Sequence, residues 1–158
     1  LALSHGSGDV LLTLRSGLGY RFPERLISRE GVRGIQARPE DQVVGLVGIE
    51  SDEDEVLLVT ADGQGARRQM AGFASNKSPG GQGKVIIKSD ALAAAARVSP
   101  GDEALCISGF AKIIRFAVDE VPAKSGNVQG VSVLDTRGDS LAALAVAPLP
   151  AAAPAGEG

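Results

Sequence analysis

The chain has 158 residues, of which 44% are apolar but only 3% aromatic, with 21 glycines, one cysteine and a formal net charge of −3. That length buries roughly two-thirds of the unfolded surface, either in one domain or in a few repeats whose cores merge. A single cysteine excludes a disulfide within the chain and points to a reducing, cytoplasmic setting, and no stretch approaches the roughly 20 apolar residues of a membrane helix.

Residues 1–8 read as an N-terminal extension. Leu1-Ala-Leu-Ser-His-Gly6 lacks the basic region and apolar run of a signal peptide, and the missing initiator Met suggests a chain that begins inside a longer product. His5, the only histidine, has no companions for a metal or acid–base site and reads as a solvated terminal residue.

The next residues are unevenly charged. Arg15, Arg21, Arg25, Arg29, Arg33 and Arg38 face only Glu24 and Glu30, and an acidic block follows at Glu40, Asp41, Glu50, Asp52, Glu53, Asp54 and Glu55. A basic surface can therefore exist on an acidic chain, because local potential follows the distribution of charge. The run Glu50–Glu55 has the composition of a metal cluster but reads as a solvated turn between units.

An internal repeat organises the whole sequence. Val10–Phe22, Val56–Arg68 and Ala104–Phe116 stand in register at offsets of 46 and 48 residues, aligning Arg21 with Arg67 and Arg115, and Gly17 with Gly63 and Ala111. Each segment reads as a β-hairpin, turning at Ser16-Gly17 and at Asp62-Gly63, the second a signal for a two-residue type I′ turn. The third copy places its glycine earlier, at Gly109, and its turn is expected to differ.

A second half follows each hairpin: Arg29–Val44, Gly80–Val98 and Gly126–Leu141. In each, glycines precede an apolar strand, then a turn containing Asp41, Asp90 or Asp139, then a further apolar strand. Ala91-Leu-Ala-Ala-Ala-Ala-Arg97 has high helix propensity; its register favours a strand, with a short helix as the alternative. Four strands per repeat of this length is the period of a propeller-like blade. The predicted fold is all-β, with blade 1 over residues 9–55, blade 2 over 56–102, blade 3 over 103–147 and a disordered Ala/Pro/Gly tail over 148–158. Cys106 reads as a buried structural thiol.

Gly31-Val-Arg-Gly-Ile35, Val56-Leu-Leu-Val-Thr60 with Asp62-Gly63, and Ile114-Arg-Phe116 through Asn127-Val-Gln-Gly-Val131 to Gly138-Asp139 carry a family resemblance. The sequence resembles the C-terminal DNA-wrapping domain of bacterial type IIA topoisomerase A subunits, those of DNA gyrase and topoisomerase IV, over about residues 9 to 147. The resemblance implies a β-pinwheel, a propeller-like disc whose blades exchange a strand and whose basic rim bends duplex DNA. It implies as partners double-stranded DNA, an ATPase partner subunit, and the rest of the A subunit, with cutting and ATP chemistry encoded elsewhere.

Two features depart from the family pattern. Three repeats are present where gyrase discs carry about six, leaving open edges through which self-association could complete the disc. The gyrase loop Gln-Arg-Arg-Gly-Gly-Lys-Gly corresponds here to Asn76–Lys84, which keeps its glycines and loses the paired arginines.

Arginine and lysine on a rim would bind phosphates. The candidates are Arg21, Arg67 and Arg115 at the recurring position, with Arg29, Arg33, Arg68, Lys77, Lys84, Lys88, Lys112 and Lys124 nearby. The alternative for the recurring arginine is a structural pair with Asp41, Asp90 or Asp139. Gly80–Lys84 lacks the spacing and the Ser or Thr of a Walker motif. Tyr20 lies inside a repeat strand, where packing is its expected role. No catalytic group, metal or cofactor is expected, and the rival to DNA binding is a protein-interaction disc that has lost wrapping.

Overall fold

The computed structural model describes residues 6–126, 129–136 and 138–148; His5, Asn127, Val128 and the tail from residue 149 lie outside the described residues. Fourteen strands and three single 3-10 turns make up the regular structure of the described residues. The three hairpins are β1 (Asp9–Leu14) with β2 (Leu18–Pro23), β5 (Glu55–Thr60) with β6 (Gln64–Gln69), and β10 (Glu103–Ser108) with β11 (Ile113–Ala117). The other long strands are β4 (Val43–Ile49), β9 (Leu92–Val98) and β14 (Leu141–Ala147). Short strands complete the set: β3 (Ile35–Gln36), β7 (Gly81–Gln82), β8 (Lys84–Val85), β12 (Ala123–Lys124) and β13 (Val131–Ser132).

The sheets are all-β blades in an open, propeller-like arrangement. Their orders are β4-β1-β2-β8, then β9-β5-β6-β12 with β13 also on β6, then β14-β10-β11. Blades 1 and 2 therefore take their outer strands from the following repeat, and blade 3 has three strands among the described residues. A bulge interrupts the pairing at the same place in each blade, at Thr13/Leu14, Val59/Thr60 and Ile107/Ser108.

The long strands β4, β9 and β14 lie side by side at the hub, each packing on the next. This explains why the alanine run is a strand. A Cβ on Gly45 would stand 3.1 Å from the Ala95 Cβ, so the hub admits only small side chains where its strands approach. Packing on both sides overrides the intrinsic helix preference of alanine.

The core lies between the blades. Val56 and Leu58 of β5 pack into one cluster with Leu11, Ile49, Met70, Ile86 and Ile87, while Leu57 and Val59 pack into another with Ala104, Cys106, Phe116, Val121 and Leu134. A middle blade covered on both faces needs a continuous apolar strand rather than an alternating one, and Val56–Val59 are completely buried. A third cluster of Val10, Leu14, Tyr20 and Phe22 fills the outer face of blade 1, closed over by Ile35.

Burial also sets the chemistry of Cys106, pushing its thiol up to about 11. Only the thiolate reacts, so a thiol reagent at pH 8 is expected to label the native chain no faster than the chain unfolds. Rapid labelling, read by mass spectrometry while circular dichroism stays native, would contradict this placement.

The hairpin turns differ from the type I′ expectation. Gly17 and Gly63 have φ of +85° and +88°, and Ala111 takes the same conformation at φ +64°; Ser16 and Asp62 do not. The turn hydrogen bonds run from Gly17 N–H to the Leu14 carbonyl, Gly63 N–H to Thr60 and Ala111 N–H to Ser108. This is a longer loop closed by one left-handed residue.

Candidate nucleic-acid interface

The recurring arginine is a clasp between repeats. Arg21 Nε donates to Asp9 at 2.7 Å and Nη2 to Asp52 at 2.7 Å, while Nη1 donates to the carbonyls of Met70 and Phe73 in the next repeat at 3.1 and 3.0 Å. Its side chain is only 5% exposed. Arg67 repeats the arrangement, donating to the Val121 carbonyl at 2.9 Å and to Asp119 at 3.3 Å, with Glu55 3.2 Å away. In the third copy Arg115 pairs with Glu103 of its own blade, with no inter-repeat partner among the described residues, and is 68% exposed. The carboxylates that pair with these arginines are therefore Asp9, Asp52, Glu55, Asp119 and Glu103, in place of the anticipated Asp41, Asp90 and Asp139.

Asp41 and Asp139 instead pin the start of a hub strand to the hairpin turn of the same blade. Asp41 accepts from the Ser16 hydroxyl and from the N–H groups of Ser16 and Gln42; Asp139 accepts from those of Phe110 and Ser140. Slight burial of Asp41 raises its pKa, but the bonds from Ser16 and Gln42 and the charge of Arg15 outweigh it, so the carboxyl lies below its ordinary value. Asp139 is lowered by the Ser108 hydroxyl first and by backbone N–H groups after it. A lowered folded-state pKa gives stability that is complete above the unfolded value of about 4 and fades as pH falls through the folded one. Asp41→Asn is accordingly expected to lower the melting temperature slightly at pH 7 and by less as pH falls below about 4; a loss that does not shrink with falling pH would contradict the assignment.

Arg68 is buried as well. Its guanidinium donates to the carbonyls of Val85, Ile86, Gly72 and Ser125 and stacks on the Phe73 ring with 5.3 Å to the centroid. Burial pulls its pKa below that of an ordinary arginine. It staples together segments that belong to two exchanged strands. Neither Arg21 nor Arg68 presents its guanidinium to solvent.

The remaining candidates are exposed. Arg29, Arg33, Lys77, Lys84, Lys88, Lys112 and Lys124 all face solvent, and none of them forms an ion pair among the described residues. Exposed Arg25 and Arg38 share that property; the basic block from Arg15 to Arg38 was the signal for them. The acidic block, by contrast, has local partners: Asp52 pairs with Arg21, Glu55 with Arg67, and Glu50 and Asp54 with Arg97.

Strand exchange gathers several of these cations on the perimeter, at the far side of each sheet from the hub. The loop Asn76–Gly83 is tied to β2 by Asn76 N–H and Nδ2, both donating to the Arg21 carbonyl, and by the Tyr20 hydroxyl donating to Ser78 at 2.6 Å. Parallel pairing of β3 with β7 and a bond from Gly80 N–H to the Gly34 carbonyl bring the Arg33 segment alongside. Arg33, Lys77 and Lys84 therefore flank one glycine loop on the rim of blade 1. On blade 2, Lys124 of β12 lies on the outer edge of the sheet, in register with Arg68.

The overall fold is shared with known proteins. The family described as "DNA gyrase C-terminal domain, beta-propeller" matches residues 15–49, 54–99 and 102–148. The chain belongs to that family. Each matched block of this gyrase C-terminal domain holds one hub strand, and the second and third also hold the segments donated to the preceding blade. The A subunit of DNA gyrase from Pseudomonas aeruginosa is 29% identical over 149 residues, covering 89% of this chain and 16% of the relative. The corresponding gyrase chain of Salmonella typhimurium is 32% identical over 146 residues, covering 87% and 16%. The chain thus spans about a sixth of the length of the curated relatives it matches. Among solved structures, the C-terminal domain of DNA topoisomerase IV superposes with a TM-score of 0.83 at 18% identity, covering 92% of this chain and 48% of that one. The DNA gyrase A C-terminal domain gives 0.82 at 22% identity, covering 92% and 52%. No group of three or more His, Cys, Asp or Glu placed to hold a metal ion occurs among the described residues, and no helix there is long and apolar enough to cross a membrane.

Proposed function

We propose that this gyrase C-terminal domain binds duplex DNA along its perimeter and bends it. It acts as a non-catalytic module in the A subunit of a cytoplasmic type IIA topoisomerase that also needs an ATPase partner subunit. The observation that carries the reading is the distribution of charge: rim cations that form no ion pair among the described residues, against an acidic block in which Glu50, Asp52, Asp54 and Glu55 pair with arginines. Arg29, Arg33, Lys77, Lys84 and Lys124 are the central contacts, with Arg25, Arg38, Lys88, Lys112, Arg115 and the partly shielded Arg67 secondary. Arg21 and Arg68 hold the blades that carry the rim. Phosphate contacts of this kind are independent of sequence and sensitive to salt. Bending 20–30 bp by 40–90° costs on the order of 1–6 kcal/mol, a cost that several phosphate contacts can offset.

Fluorescence anisotropy with a labelled duplex of about 30 bp, titrated over a range of salt, tests this reading. The expected result is binding that weakens linearly in log salt and does not depend on base sequence. No binding at low salt would reject it and leave the protein-interaction disc.

A further inference from the structure

In blades 1 and 2 the donated segment docks in one way. The Gly17 carbonyl accepts from the N–H groups of Ile86 and Ile87, and the Gly63 carbonyl accepts from those of Val133 and Leu134. The donated apolar pair then seats in the core, where Ile86, Ile87 and Leu134 are buried.

Two glycines in each acceptor blade make room for this. A Cβ on Gly17 would overlap the carbonyls of Ile87 and Ser89, and a Cβ on Gly63 the carbonyl of Leu134. A Cβ on Gly19 would stand 3.2 Å from Ile86 Cδ1, and one on Gly65 2.9 Å from Val133 Cγ1. The backbone contacts at Gly17 and Gly63 cannot be relieved by a side-chain rotation, and close approach is what glycine permits.

Blade 3 has neither glycine. Turn geometry places Ala111 at the position of Gly17 and Gly63, and strand register places Ile113 at that of Gly19 and Gly65. Ile113 is 68% exposed. We infer that strand exchange stops at blade 3, where Ala111 and Ile113 occupy the space that a donated segment takes in blades 1 and 2. Arg115 in the open strand and Lys112 just before it put charge on the same edge, a known way of blunting a sheet edge against pairing.

Repeat 1 carries a matching feature. Aligning Gly34 with Gly83 and Gly130 sets Ala37 and Arg38 where the donated segments have Ile86-Ile87 and Val133-Leu134. Repeat 1 therefore has no apolar pair to donate, and its Ile35 is committed to the outer face of its own blade. The self-association through open blade edges anticipated from sequence thus does not proceed by strand exchange at β11.

Transplanting the stop into blade 2 tests this. In the Gly63→Ala/Gly65→Ile variant of the 158-residue chain, the Val133 and Leu134 amides are expected to lose protection from hydrogen exchange. Those of Ile86 and Ile87, docked on blade 1, keep theirs and report that the rest is folded. Retained protection at Val133 and Leu134 would overturn the inference. Loss at both pairs means general unfolding, and the unaltered chain then decides. Its β11 amides facing away from β10 are expected to stay unprotected at low and high protein concentration, whereas protection of Ile113–Ala117 rising with concentration overturns the inference equally.

Discussion

Replacing Arg33, Lys77, Lys84 and Lys124 together with alanine is expected to flatten the salt dependence of duplex binding by about three to four in log–log slope. Each phosphate contact releases close to one counterion, so four contacts contribute on the order of a thousandfold in affinity near 0.1 M salt. The side chains are exposed, and surface changes of this kind normally move stability by no more than about 0.5 kcal/mol. The variant is therefore expected to melt with the parent. Anisotropy titrations at several salt concentrations read the slope and the affinity together. An unchanged slope would mean that DNA, where it binds, lies elsewhere than on the exchanged strands.

Arg21→Met is expected to do the opposite, harming the fold far more than an exposed substitution would. Removing one member of a buried, hydrogen-bonded ion pair costs about 3–5 kcal/mol, because the remaining groups stay desolvated without a partner. Here the Met70 and Phe73 carbonyls lose their donor and Asp9 loses its cation. Asp52 contributes little to this figure, since it is largely exposed and water can replace Arg21 there. Arg29→Met, on the surface, is the control. Urea denaturation separates the two, and equal midpoints would show that the recurring arginine is not a clasp.

Much of this architecture was legible because it is written three times. The repeats gave the hairpins, the hub strands and the all-β blades, and register correctly favoured a strand for the alanines of β9. Strand exchange itself was accessible only through the family resemblance, since two-residue strands such as β8 and β13 have no periodicity to detect. The turn type was misread because Asp62-Gly63 looks like a type I′ pair, whereas only Gly63 takes the positive φ. The paired arginine in repeat 2 was divisible only in three dimensions. Arg67 and Arg68 are adjacent in sequence, yet one reaches the carbonyl of Val121 and the other is enclosed between Phe73 and Ile86.

The same contrast explains the charge of the chain. Counting residues gives an acidic protein, and much of the acidic block is engaged by Arg21, Arg67 and Arg97. Exposed Lys84 and Lys124 of the exchanged strands form no ion pair among the described residues. Net charge bears on solubility and long-range steering, whereas a binding face depends on where the unpaired charges sit.

Ligase closure of a nicked plasmid in the presence of increasing amounts of the domain, followed by removal of protein and measurement of linking number, tests DNA bending around the rim most directly. The account predicts a shift in linking number that grows with protein and disappears as salt is raised. Unchanged linking number at low salt, with duplex DNA saturated by the protein, would contradict it.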